Sequence, residues 1–432
     1  MPVGDIRRAD PALVEIYKHL HANPEISFLE IESSKMMANE LRSLGFTVTE
    51  NVGDAWVKAK ALRDVGEVKP GVGGYGVVGV FENGEGPTVL IRADMDGLPV
   101  PEQTGLDFAS RAVAAGWTGV ESPVMHACGH DIHMTVWIGT ARKLIADKDN
   151  WSGTLVMIAQ PAEEIGLGAQ AMIADGLYTR FPTPDYNLAL HVSASSPVGT
   201  VSYSSGFALA NVDSVDITVK GAGGHGAYPH TTRDPILIAS HIVVALQSLV
   251  SRNTNPLDSA VVTVGAIRAG AKHNIISDEA ELLLTVRSYD DETRQMLLDG
   301  IRRIAEGQAA AFGAPAPEIR VESDYTPATY NDPALTERAM KAVAGAIGEA
   351  NVNSVPPVMG GEDFSQFART DENIPGVIFW LGAVSPERYA ASKTDGMPLP
   401  SLHSPLFAPD YDPAIGTGVA AMTAAALDLF TE

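Results

Sequence analysis

A single cysteine, Cys128, stands in a chain of 432 residues, which excludes an intramolecular disulfide and suits a reducing compartment. Basic residues are scarce too. Thirty lysines and arginines face 53 aspartates and glutamates, a formal net charge of −23. No lysine or arginine cluster interrupts that field, so a phosphate backbone or an anionic lipid surface would be repelled. Nucleic acid and membrane are therefore not expected partners. No apolar run approaches the ~18 residues of a membrane span. The charged start, MPVGDIRRADPALVEIYKHL, lacks the apolar centre of a signal peptide. A cytoplasmic protein is expected. Internal repeats and low-complexity tracts are missing as well.

What is present is enough chain for two domains, because one core stops growing near ~250–300 residues. SFLEIESSKMMANELRSLGF has helical apolar spacing and stops at Gly45. Asn51–Gly74 reads as a loop or hairpin, and GVVGVFENGEGPTVLIRAD as two strands joined by turn residues. Then strands TVLIRA, TLVMIAQ and YNLALHV alternate with helices such as IHMTVWIGTARKLIAD, the pattern of an α/β domain with a mostly parallel sheet. From residue 213 to 326 the order changes to strand–helix–strand–strand–helix–strand, that of a ferredoxin-like α+β module. After it the first style resumes. The expected organisation is a catalytic domain from 1–212 and 327–432, interrupted by an inserted domain at 213–326.

Open α/β sheets collect ligands at the carboxyl ends of their strands. There the sequence places Asp94 and Asp96 after TVLIRA, Glu163 and Glu164 after TLVMIAQ, and His191 after YNLAL. Cys128, His130 and His133 precede a helix, and His403 precedes the last one. Taken singly these have ordinary readings: a core histidine, solvated glutamates, turn-forming aspartates, a small buried thiol. Convergence on one sheet edge favours a metal. Carboxylates would suppress a nucleophilic thiolate, whereas a divalent ion deprotonates a coordinating thiol. Cys, His, Glu, His and His would suit two ions bridged by one ligand. Soft sulfur favours zinc, and the carboxylates leave manganese or cobalt open. Neighbouring glutamates in extended chain point to opposite sides, so one can bind an ion while the other takes a proton from the attacking water. That is the pattern of metal-assisted amide or ester hydrolysis.

The stretches HANPEISFLE, IRADMDGLPVPEQTG, MHACGHDIHM, QPAEEIGLGAQAMIADGLY, GGHGAYPH and MGGEDFSQF, in this order between residues 21 and 405, carry a resemblance. The chain resembles the amidohydrolase branch of the aminoacylase/carboxypeptidase-type dinuclear metallopeptidases, which includes hippurate, indole-acetyl-amino-acid and aminobenzoyl-glutamate hydrolases. The resemblance implies an α/β catalytic domain with an inserted ferredoxin-like lid that also serves dimerisation. It implies a homodimer, with tetramers as a further assembly, and two divalent ions: zinc or manganese, with cobalt and nickel as alternatives. Carried over by position, Cys128 is a ligand and bridges the ions, with His130, Glu164, His191 and His403. Glu163 is the general base and acid. Asp96 supports the site, Asp131 orients the loop, and His133 supports rather than binds. In the inserted domain, His225 resembles an oxyanion-stabilising histidine often supplied by the partner subunit. Asn274 and Arg287 resemble residues that hold the substrate carboxylate or the reacting carbonyl, and Gly360 and Gly361 let backbone approach the substrate. Gly97 departs from the family's usual alanine, and Asn51–Gly74 is longer than the family's connection. The expected activity is hydrolysis of an N-acyl amino acid to an acid and an amino acid. The rivals are a dipeptidase or carboxypeptidase, a thiol hydrolase, and a silent binding protein on the same scaffold.

Overall fold

In the computed structural model, which describes residues 7–394 and 396–431, the apolar runs of the first and last parts of the chain pair into an eight-stranded sheet. Its order is Thr47–Gly53, Tyr75–Glu82, Thr154–Gln160, Thr88–Asp94, Tyr186–Pro197, Gly376–Val384, Val201–Tyr203 and Val352–Ser354. The central strands run parallel, and the first two are antiparallel additions. The central runs are mostly apolar on both faces because both faces are covered: Val89 to Asp94 are all buried. This is the mostly parallel α/β architecture expected from the alternation of strands and helices.

Two helices do much of the covering. His130–Ala146 is buried along most of its length, polar residues included; the Trp137 indole N–H donates to the Ile91 carbonyl at 3.1 Å. Tyr411–Phe430 is built largely from alanine, glycine and threonine. Its Gly418 lets the helices approach closely, since a β-carbon there would lie 2.7 Å from Val136 Cγ2. Aspartates cap the helices that begin with proline: the Asp10 and Asp332 side chains accept from the Ala12 and Leu335 amides.

Tyr75–Glu82 and Thr88–Asp94 are the two expected strands joined by a turn, although they do not pair with each other, because Thr154–Gln160 lies between them. Two local readings need correction. The segment read as a loop contains a helix, Asp54–Asp64. Its charges form Asp54–Lys58 and Lys60–Asp64 pairs one turn apart, while Val57 and Ala61 pack with Phe28, Ala162, Leu167 and Ala171. The glycines that suggested a loop belong to the turn after it. Two helices, Pro235–Asn253 and Tyr411–Phe430, are long and apolar enough to cross a membrane by length and composition. Both, however, pack onto protein cores through Ile238, Ile242 and Leu246 in one case and Ile415, Met422 and Leu429 in the other.

The second unit comprises Leu209–Thr329 and Pro357–Glu362. Its four-stranded antiparallel sheet has the order Ala260–Ala269, Glu279–Ser288, Asp213–Lys220, Glu318–Val321. Alternation sets the faces: Val215, Ile217 and Val219 point to a core shared with Leu282, Leu284, Ile238, Ile242, Leu297 and Ile301. The helices Pro235–Ser248 and Asp291–Ala311 supply that core's other side.

The turn after Thr154–Gln160 is tightly built. A β-carbon on Gly168 would lie 1.5 Å from the Pro161 carbonyl oxygen, so the turn must shift if anything larger enters. Gly168→Ala is expected to cost about 1–3 kcal/mol, read as a lower midpoint in thermal unfolding. An unchanged midpoint would contradict this account of the turn.

Candidate metal centre

Parallel register brings the chemistry level. Thr88–Asp94 ends at Asp94, paired with Gln160 at the end of Thr154–Gln160. Continuing the Arg92–Ala189 pairing sets His191 beside Asp94. His191 is not at a strand end, as its sequence neighbourhood suggested; its strand runs on to Pro197, alongside Gly376–Val384. The cysteine loop turns into the His130–Ala146 helix at Gly129. That glycine has φ 82, and a β-carbon there would sit 2.5 Å from Val192 Cγ2, so only glycine fits. The His403 loop joins through main chain, with the His403 amide donating to the Ala127 carbonyl at 2.9 Å.

Cys128 Sγ lies 3.4 Å from His191 Nε2. One potential ligand atom from each of Cys128, His130 and His191 falls within 4.8 Å of the others, and the same holds for Cys128, Glu164 and His403. The sulfur thus stands in both sets. His130 Nε2 is 3.7 Å from Glu164 Oε1 and 3.8 Å from Glu163 Oε2, and His403 Nε2 is 3.5 Å from Glu164 Oε2.

The three histidines of this cluster's interior differ in what their nitrogens do. His133 donates through Nδ1 to Asp94 Oδ1 at 2.6 Å and accepts the Val192 amide at Nε2 at 2.9 Å. Both nitrogens are used, so His133 ties the helix to two strands. His191 donates through Nδ1 to the Val192 carbonyl at 2.8 Å, leaving the Nε2 lone pair towards Cys128. Burial, reinforced by His133 and His130, holds it far below the usual histidine range. His130 is fully buried, and neither ring nitrogen closes a hydrogen bond among the described residues. Its Nδ1 lies 3.3 Å from Asp96 Oδ1 without the alignment of one. Burial opposes its charge, yet Asp94, Asp96 and Glu164 lift it to about 10.

The carboxyls are equally unlike. Burial works to raise Asp94, but His130, His133 and Arg92 hold it well below the usual range. Burial pushes Glu164 up to about 8, with Asp96 and Asp94 adding and His130 opposing. Its Oε1 has no hydrogen-bond partner among the described residues. Buried polar atoms left so are rare, and on a histidine and a glutamate beside a thiol they suit divalent cations. Asp96 is fully engaged: it accepts the Glu163 and Glu164 amides at 3.1 Å each and the Ser27 hydroxyl at 2.6 Å.

Sequence reading missed the layer beneath. Asp131 accepts from His21 Nδ1 at 2.7 Å, and Glu102 lies 3.0 Å from His21 Nε2. Glu30 accepts the Ala162 amide at 2.7 Å. His21 and Glu30 open and close the motif HANPEISFLE, the one signal available for them. His126 is also buried, with neither nitrogen hydrogen-bonded among the described residues, and burial pulls it down to about 4.

In the second unit, His225 and Asn274 share one ribbon: Gly224–His225 pairs with Ile275–Ile276, and the Gly226 amide donates to the Asn274 carbonyl at 2.9 Å. His225 Nδ1 accepts the Ala227 amide at 3.0 Å. Arg287 lies elsewhere, on the sheet, donating to Thr285 Oγ1 at 3.0 Å. Gly361 is required by packing: a β-carbon would lie 2.2 Å from Val212 Cγ2. Gly360 meets only an ordinary contact with Leu209.

Residues 90–403 match the family model for peptidase family M20/M25/M40. Thermostable carboxypeptidase 2 of Saccharolobus solfataricus is 36% identical over 88% of this chain and 88% of its own. N-acetylcysteine deacetylase of Bacillus subtilis is 35% identical over 87% of this chain and 90% of its own. The crystal structure of Bacillus subtilis YXEP, a dinuclear metal binding peptidase of the M20 family, superposes with a TM-score of 0.70, at 28% identity, over 96% of this chain and 98% of that one. This chain belongs to peptidase family M20/M25/M40. It is an enzyme of the metal-dependent amide-hydrolase class, the kinship its motifs resembled.

The buried His21 pair gives a pH signature. Burial opposes the charge, but Asp131 and Glu102 raise His21 from 6.5 to about 9. A raised histidine stabilises fully below its unfolded pKa near ~6.5, and that contribution is lost as pH rises through about 9. It amounts to about 3 kcal/mol at most. His21→Gln should therefore melt well below the wild type at pH 6–7, with the gap narrowing by pH 10. A gap that stays constant with pH would refute this assignment.

Proposed function

We propose that this enzyme hydrolyses the amide bond of an N-acyl amino acid, releasing a carboxylic acid and an amino acid. In this reading Cys128, His130, Glu164, His191 and His403 hold two divalent ions, zinc or manganese, with Cys128 shared between them. One observation carries it: His130 and Glu164 are buried beside Cys128 with polar atoms that no described residue satisfies. Bound there, such ions would supply Lewis acidity and acidify water. Glu163 takes the proton from the attacking water and delivers it to the departing amine. Asp96 fixes the two glutamates by their amides, and His133 and Asp131 hold the helix that carries His130. His225 is assigned to the developing oxyanion, and Asn274 and Arg287 to the substrate carboxylate or carbonyl. A guanidinium fork suits a carboxylate. The setting assigned is the cytoplasm.

The deacetylase and carboxypeptidase names among the relatives mark the two substrate classes to compare. Enzyme reconstituted with zinc, manganese or cobalt should cleave N-acyl amino acids faster than free dipeptides; the reverse ranking would favour the peptidase reading. EDTA should abolish turnover, which a thiol hydrolase would survive. Glu163→Gln should keep its metal and lose ~10²–10⁴-fold in kcat. Near-normal turnover would sink the assignment of Glu163.

The partner proposed is a second copy of this chain, met through the inserted unit. The helix Pro235–Ser248 exposes Leu237 at 47% and Val244 at 74% of their surface, and Ile267 is 51% exposed on the sheet's edge strand Ala260–Ala269. An open edge beside an apolar helix face invites symmetric pairing. Val244→Glu should shift sedimentation from dimer to monomer, whereas a wild-type monomer would overturn the proposal.

A further inference from the structure

The turn Pro161–Glu164 contains a strained residue. Ala162 has φ 52, the left-handed region, without being glycine. For an L-residue this costs about 1–2 kcal/mol, and it persists only where surrounding groups over-determine it. Both of its peptide groups are held. Its carbonyl accepts the Leu167 and Gly168 amides at 3.2 and 3.1 Å, and its amide donates to Glu30 Oε1 at 2.7 Å. Immediately downstream, the Glu163 and Glu164 amides both fall on the Asp96 carboxylate. Two consecutive amides can reach one carboxylate only if the chain curls there, and the left-handed residue supplies the curl.

Glu30 is unusual in itself. It is fully buried, and its Oε2 has no hydrogen-bond partner among the described residues. Burial, with Asp96 adding to it, raises its pKa far above the usual carboxyl range. A charged oxygen left bare in such a place would cost several kcal/mol, more than a neutral acid would.

We propose that Glu30 is a positioning residue for hydrolysis: as the acceptor of the Ala162 amide it holds Ala162 left-handed, and so aims Glu163 and Glu164 at their separate tasks. The inference deepens the functional reading above and rests on it. It does not place Glu30 in contact with substrate. What the residue must provide is one acceptor at 2.7 Å from the Ala162 amide, and neither charge nor a transferable proton.

The test uses full-length enzyme in four forms: Glu30→Gln, Glu30→Leu, the double variant Glu30→Leu with Ala162→Gly, and Glu163→Gln as control. Glutamine keeps the acceptor, so Glu30→Gln should retain at least a third of kcat with the acid limb of the pH–rate profile in place. Leucine removes it, so kcat should fall about 10–100-fold with KM within a few-fold. Glycine takes positive φ freely, so the double variant should recover about tenfold of that loss. Hydrogen exchange of the segment containing the Ala162 amide should speed at least fivefold in Glu30→Leu and stay slow in Glu30→Gln. Exchange reads the positioning whether or not the N-acyl reading holds, while undiminished turnover in Glu163→Gln would sink that reading alone. Equal losses in Glu30→Gln and Glu30→Leu would overturn the proposal, as would a folded double variant with no recovery. If Glu30→Leu does not fold, Glu30→Gln and the double variant decide.

Discussion

Five carboxyl groups surround or underlie one buried imidazole, and most of the catalytic unit's polar architecture answers the repulsion this creates. Asp94, Asp96, Glu163 and Glu164 lie within 4 Å of His130 ring nitrogens, and Glu30 lies under the same turn. Like charges at such distances in a poorly hydrated site repel by several kcal/mol. The compensations are specific. Arg92 neutralises Asp94 and reaches Asp363. Three donors occupy Asp96. Burial, with Asp96 adding, raises the Glu30 pKa far above the usual carboxyl range. Among the described residues no hydrogen-bond partner meets Glu164 Oε1 or the His130 nitrogens, and the imbalance concentrates there.

The histidines show how the fold separates support from binding capacity. His130 and His133 stand one helical turn apart, with ring centroids 5.2 Å apart, and residue type alone does not tell them apart. The difference lies in their neighbours. The parallel register puts Asp94 and the Val192 amide on the two nitrogens of His133, while His130 faces carboxylates that align with neither of its own. His191 is intermediate: one nitrogen is fixed by the Val192 carbonyl and the other is left towards sulfur. A hydrogen bond on one nitrogen sets which atom of a ring can bind an ion.

What could be read from sequence follows physical range. Strand–helix alternation and the β-α-β-β-α-β order are local patterns repeated along the chain, and both are found. The chemistry at the sheet edge was legible because parallel strands put their carboxyl ends together. The reading failed where a tertiary partner decides. Asp54–Asp64 looked like a loop until Phe28 and Ala171 gave its Val57 face something to pack on. The motif HANPEISFLE contains His21 and Glu30 but gives them no task, since no spacing reveals that they reach Asp131 and Ala162 across 110 and 132 residues of chain.

The lone cysteine is where these strands of argument meet. A thiol amid carboxylates is a poor nucleophile, because the same negative field that would need a base to activate it also opposes the thiolate. That field is an asset only if cations arrive. Proton binding is the other way to offset the excess charge, and the same surroundings raise His130 to about 10 and Glu164 to about 8. Protons and divalent ions are then alternative answers to one electrostatic problem posed at the same atoms. A second thiol would add negative charge to a site already crowded with it. One sulfur lying in both ligand sets gives softness to each at the cost of a single anion, which is a physical reason for the chain to carry one cysteine at this position.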